Sequence, residues 1–429
     1  MNSIKTSLYD LKYFIILWLS QSFSTLGSSM TNFALIIWSY EQYGSALQTA
    51  MIAVCSYTPY VIMSIFAGAL SDKWNKKITI LVCDSFAALS TVCVIVLMQT
   101  GKLEIWHIYC LNALNGLMNT IQQPSADVTI SLIAPKKYYQ KVSGMRSFSN
   151  SLTSVLTPVI ATTLLAFMGM SGVFTFDLVS FVVASLCLVF FIKIPEIKYQ
   201  NEKKETLILS AKAGLKYLKV NRGILDLILF LAGINLIASM YNAAFPAMIL
   251  SKENGGEVAL GIVNTVIGVA TLVGSTIVSI LPTPKSRTRV ICNALLFSMS
   301  TENFFLAFGN SPIVWSIGAA LGWIFIPVMG ANMDALFRNH IPVELQGRVY
   351  SVRNSLQYFT IPIGYFLGGF LVDNIFEPFM GLQNDHILNI LFGIGKGSGA
   401  AFLFFILAIL GIVVCLIFRK DKHIWKLEK

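Results

Sequence analysis

The sequence predicts an all-α membrane protein of twelve transmembrane helices, arranged as two six-helix, pseudo-symmetric halves. Three observations carry that expectation. Of 429 residues, 55% are apolar and only 12% charged, against about 25% charged in ordinary soluble domains. Apolar stretches of roughly 18 residues or more recur from end to end, long enough to cross a bilayer as helices, which satisfy their own backbone hydrogen bonds in lipid. A segment beginning at Asp127 is echoed, without a gap, in one beginning at Asp334.

The apolar runs fall at 13–38, 48–71, 78–99, 105–134, 143–168, 172–193, 224–250, 258–282, 290–309, 312–336, 349–373 and 394–418. Residues 1–193 make the N-terminal half, 194–223 a polar linker and 224–429 the C-terminal half. Lys and Arg set the orientation. Of 31 such residues, all but Lys102, Lys252 and Lys396 collect on one face. The positive-inside rule puts that face, with both termini, in the cytoplasm of a multi-pass cell-membrane protein. The net charge of +10 resides in these loops, so nucleic acid is not an expected partner. All seven cysteines (Cys55, Cys83, Cys93, Cys110, Cys187, Cys292 and Cys415) lie in apolar segments without paired loop spacing, which reads as small hydrophobes and no disulfide framework. The N-terminus has no small-residue cleavage site and reads as a retained first helix.

The repeat matches Asp127 with Asp334, Pro135 with Pro342, Lys141 with Arg348, Val142 with Val349 and Arg146 with Arg353. Each copy joins the fourth span of a half to its fifth, as two parallel halves require. In the linker, Leu207 to Val220 alternates Ala, Leu and Lys in a helical rhythm, predicting an amphipathic helix on the cytoplasmic surface.

Between the second and third spans runs Gly68-Ala-Leu-Ser-Asp72-Lys73-Trp-Asn-Lys76-Lys77, an acid and three bases in a tight turn. This pattern resembles the signature loop of the major facilitator superfamily of transporters. The corresponding region after Gly274 keeps its bases, Lys285, Arg287 and Arg289, but has no acid. The resemblance implies a latch made by Gly68, Asp72, Lys73, Lys76, Lys77 and Asp127. Asp72 would face the start of the eleventh span near Val349–Arg353, where a carboxylate interacts favourably with the helix dipole. Lys73 or Lys76 would pair with Asp127. Such contacts exist only with that face closed and bias one of two states. A merely topogenic loop would explain the lysines but not Asp72.

Polar residues recur at helical spacing: Gln21, Thr25, Ser28 and Asn32 in the first span; Asn112, Asn115, Asn119 and Gln122 in the fourth; Ser147, Asn150, Ser154 and Thr157 in the fifth; Asn235, Ser239 and Asn242 in the seventh. The resemblance implies that the first, fourth, seventh and tenth spans line a central cavity, which would make the first, fourth and seventh stripes its wet wall. The alternative is that small polar residues glue helices together at roughly 0.6 kcal/mol each, the reading favoured for the fifth span. Trp38, Tyr57, Tyr60, Tyr241, Phe245, Trp323, Tyr358 and Tyr365 accompany the stripes. Aromatics and amides with few fixed charges suit bulky amphipathic ligands better than sugars or phosphates.

Acids inside spans are functional hypotheses by default. Glu302 in the ninth span and Asp177 near the outer end of the sixth are the two candidates for carrying a coupling proton. The structural alternatives are a bond from Glu302 to Ser300 or Asn303 and a snorkelling Asp177. Gly393 to Gly399 looks like a phosphate loop but lacks the Gly-Lys-Ser/Thr ending. No nucleotide motif is present, so an ion gradient or passive flow remains.

Gly347-Arg348-Val349 at the start of the eleventh span, Pro362-Ile-Gly364 within it and Gln123-Pro124 in the fourth resemble the bacterial macrolide-efflux branch of the superfamily. That branch exports amphipathic antibiotics in exchange for protons. Two features depart from related exporters: the fourth span offers Asn112 or Asn115 where many carry Arg, and the glycine-rich antiporter motif of the fifth is reduced to Leu156-Thr157-Pro158. The expectation is a monomeric drug exporter, not an enzyme, with a small amphipathic substrate and the lipid bilayer as partners. It would use no nucleotide and no cofactor beyond the proton gradient. Transport of a physiological solute such as a siderophore, peptide or metabolite is the alternative; a non-transporting sensor needs neither paired halves nor a latch.

Overall fold

The computed structural model describes residues 10–192, 194, 207–282, 284–382 and 387–428, with the side chains of 65–73, 136, 140, 207–211, 343–344, 346–347 and 351 outside the description. Among the described residues the regular structure is helical throughout. In chain order the helices are α1 (Lys12–Tyr43), α2 (Ala46–Lys73), α3 (Lys76–Gln99), α4 (Ile105–Ile133), α5 (Tyr139–Leu186), α6 (Leu207–Val220), α7 (Arg222–Ser251), α8 (Glu257–Ile280), α9 (Arg287–Phe308), α10 (Pro312–Trp323), α11 (Ile326–His340), α12 (Val343–Tyr358), α13 (Thr360–Leu371), α14 (Glu377–Gly381), α15 (Ile387–Phe392), α16 (Ser398–Lys420) and α17 (Lys422–Trp425).

Helix starts follow local chemistry. Asn75 begins α3 because its side chain accepts from Lys77 N at 3.0 Å and Ile78 N at 3.3 Å, satisfying amides left over in the first turn. Ser311 caps α10, with Pro312 in the first turn where its missing N–H costs nothing. The fifth and sixth predicted spans form one element. They meet at Gly169, with φ +64°, a conformation a residue without Cβ reaches freely. A further π turn, Cys187–Phe191, finishes the sixth span.

Nine segments among the described residues are long and apolar enough to cross a membrane. One of them, Lys141–Phe191, is 51 residues long and comprises two helices joined across a kink at Gly169. The predicted first and fourth spans are not among the nine. Yet α1 has 32 residues and α4 has 29, so even α4 extends about 43 Å, beyond the ~30 Å hydrocarbon core. Their polar stripes dilute the hydropathy. With both included, the helices are consistent with twelve crossings, and the protein is a multi-pass membrane protein.

By internal contact the chain divides into two compact units, residues 1–35 with 62–205, and residues 36–61 with 206–429. This division differs from the one read at the linker in sending residues 36–61 to the second unit. Inside the first unit, Leu26, Met30 and Ala34 of α1 pack on Ala161 and Val173 of α5. Leu11, Phe14, Ala134 and Val142 close one end. In the second unit, α13 presses glycines against α7. A Cβ on Gly364 would lie 2.5 Å from Leu236 O, and one on Gly368 2.7 Å from Met240 Cα, the close approach that small residues allow in membranes. The start of α2 is held in the same unit by Asp373. Its carboxylate accepts from Ser45 Oγ at 2.6 Å, Ala46 N at 3.0 Å and Leu47 N at 2.8 Å.

The linker helix forms with the bounds read from the sequence, Leu207–Val220. It packs on α12, where Gly214 faces Arg348 O, and Tyr217 Oη donates to His340 O at 2.6 Å.

Candidate transport site

Two carboxyls organise the polar faces of the first unit. Asp84 of α3 accepts from Gln21 Nε2 of α1 at 3.1 Å and from Gln122 Nε2 of α4 at 2.6 Å. Asp177 of α5 is 4% exposed and accepts three hydroxyls: Ser28 at 3.1 Å, Thr31 at 3.0 Å and Thr91 at 2.8 Å. It is therefore a buried junction of three elements rather than a snorkelling acid. The approach of α1 to α5 there depends on Gly27, where a Cβ would overlap Ser180 Oγ and lie 2.9 Å from Asp177 Cα. Beside Asp177 a cavity of about 70 Å³ is lined by Ser28, Thr31, Asn32, Ser90, Asn112 and Asn115 among others. Ser90 Oγ donates to Asn115 Oδ1 at 3.3 Å, and Asn112 Nδ2 donates to Ile108 O at 3.0 Å. Thr25 and Asn119 are exposed on the same helices. The stripes of α1 and α4 thus share one polar region of one unit.

The seventh-span stripe has a different role for two of its members. Asn235 Nδ2 donates to Gln357 O at 3.0 Å, and Ser239 is buried where Gly364 approaches. Both serve the α7 packing against the helices that follow α11, and only Asn242 is exposed. The α12–α13 segment thus covers the part of this face that carries Asn235 and Ser239.

Glu302 of α9 is 5% exposed. Its Oε1 accepts from Tyr241 Oη at 2.5 Å and Trp323 Nε1 at 2.7 Å, while Ser300 and Asn303 bond backbone carbonyls of their own helix. Gly322 leaves room for the carboxyl, since a Cβ there would lie 2.7 Å from Oε2. Two aromatics expected to line a cavity therefore hold the acid instead. Phe245 stacks on Tyr241 with centroids 5.3 Å apart.

The latch residues divide. The side chains of Gly68, Asp72 and Lys73 lie outside the described residues. Lys76 is buried, with Nζ 3.4 Å from Trp74 O. Lys77 Nζ donates to Val189 O at 2.9 Å and Ile192 O at 2.8 Å, closing the end of the sixth span. Asp127, expected to meet Lys73 or Lys76, pairs with Arg146 at 2.7 Å. The repeat explains why: the two ends of each repeated segment meet, and Asp334 lies 3.9 Å from Arg353 in the second unit.

Asp84 is absent from the residues expected above, although an acid inside the third span was signal enough. All three carboxyls, Asp84, Asp177 and Glu302, are held by neutral side-chain donors, and none forms an ion pair among the described residues. Such a group can gain or lose a positive charge without breaking an ion pair.

A family model of the Major Facilitator Superfamily matches residues 17–364. The chain belongs to that superfamily. Family and fold are those of membrane transporters, not enzymes. Among curated members, this superfamily protein is similar to "Macrolide efflux protein A" of Streptococcus pyogenes, at 21% identity over 369 residues, 86% of this chain and 91% of that protein. It is also similar to the "Staphyloferrin A transporter" of Staphylococcus aureus, at 23% identity over 158 residues, 36% of this chain and 40% of that protein. Among solved structures, a bacterial homologue of the iron transporter ferroportin shares the fold with a TM-score of 0.69 at 16% identity, covering 96% of this chain and 99% of that one.

Proposed function

We propose that this protein is a secondary transporter exporting amphipathic drugs, of macrolide or mixed type, across the cell membrane in exchange for protons. Both termini would lie in the cytoplasm, and the proton gradient would be the energy source, with no cofactor. The observation that carries the reading is the Glu302 carboxyl, buried in a span against two neutral donors, where an uncompensated charge is costly and proton exchange is the cheapest relief. The similarity to macrolide efflux proteins over most of both chains supports the substrate class. The polar faces of α1 and α4, rich in amides and hydroxyls, suit a ligand recognised by hydrogen bonds. Asp72 would close the cytoplasmic face as the latch acid.

A drug panel in an efflux-deficient host, with and without a protonophore, tests this. Macrolide tolerance should rise on expression and collapse with the protonophore, and Glu302→Gln should transport without proton dependence. An unchanged inhibitory concentration for every drug would remove the drug-export reading. Unaltered proton dependence in Glu302→Gln would remove Glu302 as the coupling acid, and intact transport by Asp72→Asn would remove the latch. Transport of a physiological solute such as a siderophore, in either direction, is the second reading, favoured by the similarity to the staphyloferrin A transporter; siderophore flux across the membrane of expressing cells would support it.

A further inference from the structure

We infer that the cavity beside Asp177 is a binding site for a small monovalent cation, with sodium as the best fit. The inference rests on the transporter fold but not on any export substrate. Its lining contains one carboxylate and no Lys, Arg or His. Around that charge stand the hydroxyls of Ser28, Thr31, Ser90 and Thr91 and the amides of Asn32, Asn112 and Asn115. These are the hard, neutral oxygen donors that alkali and alkaline-earth cations prefer over nitrogen or sulfur ligands.

The orientation of the groups favours a cation over an anion. Asn112 commits one of its two amide N–H groups to Ile108 O, leaving Oδ1 and one N–H for the cavity. Asn115 Oδ1 accepts from Ser90 Oγ and keeps a second lone pair. Ser28, Thr31 and Thr91 direct their protons at Asp177. A hydroxyl oxygen keeps two lone pairs after donating, so each can still coordinate. The site therefore directs three hydroxyl protons to its own acid and surrounds it with hydroxyl and amide oxygens that keep lone pairs to spare.

Charge narrows the choice. One carboxylate neutralises one positive charge, whereas divalent sites collect several acids, and no group of three or more potential acidic, His or Cys ligands occurs among the described residues. The cavity, about 70 Å³, exceeds the ~10–15 Å³ that one water needs, so a cation and coordinating waters fit. A bound cation would also draw α1, α3, α4 and α5 together, since each contributes oxygens.

Purified full-length protein in detergent, incubated with radiolabelled sodium in choline chloride buffer, should bind the label saturably, and unlabelled sodium should displace it. Asp177→Asn should abolish binding. Thr91→Val, which keeps the shape and loses the hydroxyl, should weaken it at least ~10-fold, the scale seen when a hydrogen-bond partner of a metal ligand is removed. Thr163→Val, at an exposed position outside the cavity lining, should bind as wild type. Absence of saturable sodium binding, or full binding by Thr91→Val, would overturn the inference. If Asp177→Asn does not fold, Thr91→Val and Asn112→Leu carry the same test. Sodium binding by a protein that alters no drug tolerance would keep this site while discarding the export reading.

Discussion

Tyr241→Phe tests the carboxyl of the second unit most directly. The substitution removes one hydroxyl and keeps a ring that stacks on Phe245 at 5.3 Å and meets Phe404 edge-on at 5.4 Å. The loss is thus one hydrogen bond of 2.5 Å to Glu302. At 5% exposure, water does not replace the donor, although Trp323 still donates to the same oxygen at 2.7 Å. A bond between neutral groups contributes about 0.5–1.5 kcal/mol and one to a charged group about 1.5–3 kcal/mol. The size of the loss therefore reports the charge on Glu302 in the folded protein, and a carboxyl carrying its proton predicts a loss near 1 kcal/mol. Denaturant unfolding in mixed micelles measures it, with Glu302→Met and the double variant completing a cycle. Glu302→Met leaves the Tyr241 hydroxyl without its acceptor, so adding Tyr241→Phe should recover part of the damage. Additivity within about 0.5 kcal/mol, as for independent sites, would refute the bond and the holding role given to Tyr241.

Three further outcomes follow from the geometry. Gly27→Ala should cost about 1–3 kcal/mol by overpacking α1 against α5, whereas Gly144→Ala, with nothing within 4 Å of its added Cβ, should leave thermal inactivation unchanged. Asp373→Ala removes three hydrogen bonds at the start of α2; a lost cap of this kind costs about 0.5–2 kcal/mol, and amide exchange at 45–48 should accelerate. The hydrogen bond from Lys137 holds the Asp10 carboxyl below its ordinary value of 3.8, with a smaller contribution from Tyr138. That contact is complete above 3.8 and is lost as pH falls through the lowered value. A fluorophore near residue 10 should therefore report release only in strong acid, and Asp10→Asn should show no such transition.

The spans, the repeat and the linker helix were legible because each rests on local pattern: apolar length, matched spacing and amphipathic rhythm. Partner choice was not. Asp127 has several bases near it in sequence, and only the fold brings Arg146 within 2.7 Å. Periodicity put Asn235 and Ser239 on one face, but which neighbour covers that face is a tertiary fact, decided by Gly364 and Gln357. The break near Gly169 was visible as a gap between spans, yet one residue with positive φ suffices to make it. Residues 36–61 go with the second unit, where Tyr40 Oη meets Ser251 Oγ and Asp373, far along the chain, caps α2.

The low hydropathy of α1 and α4 also bears on how the chain is made. A nascent helix enters the bilayer according to its own apolar content, and α1 arrives before its partners α3 and α5 while carrying Gln21, Ser28 and Thr31. The acids that satisfy those side chains, Asp84 and Asp177, are synthesised two and five crossings later. Until then the first helix holds its polar groups against lipid or lingers beside the insertion machinery. Biogenesis of the first unit is therefore a late, collective step: a chain truncated before Asp177 should be cleared by quality control, while one extending past Ile192 should persist.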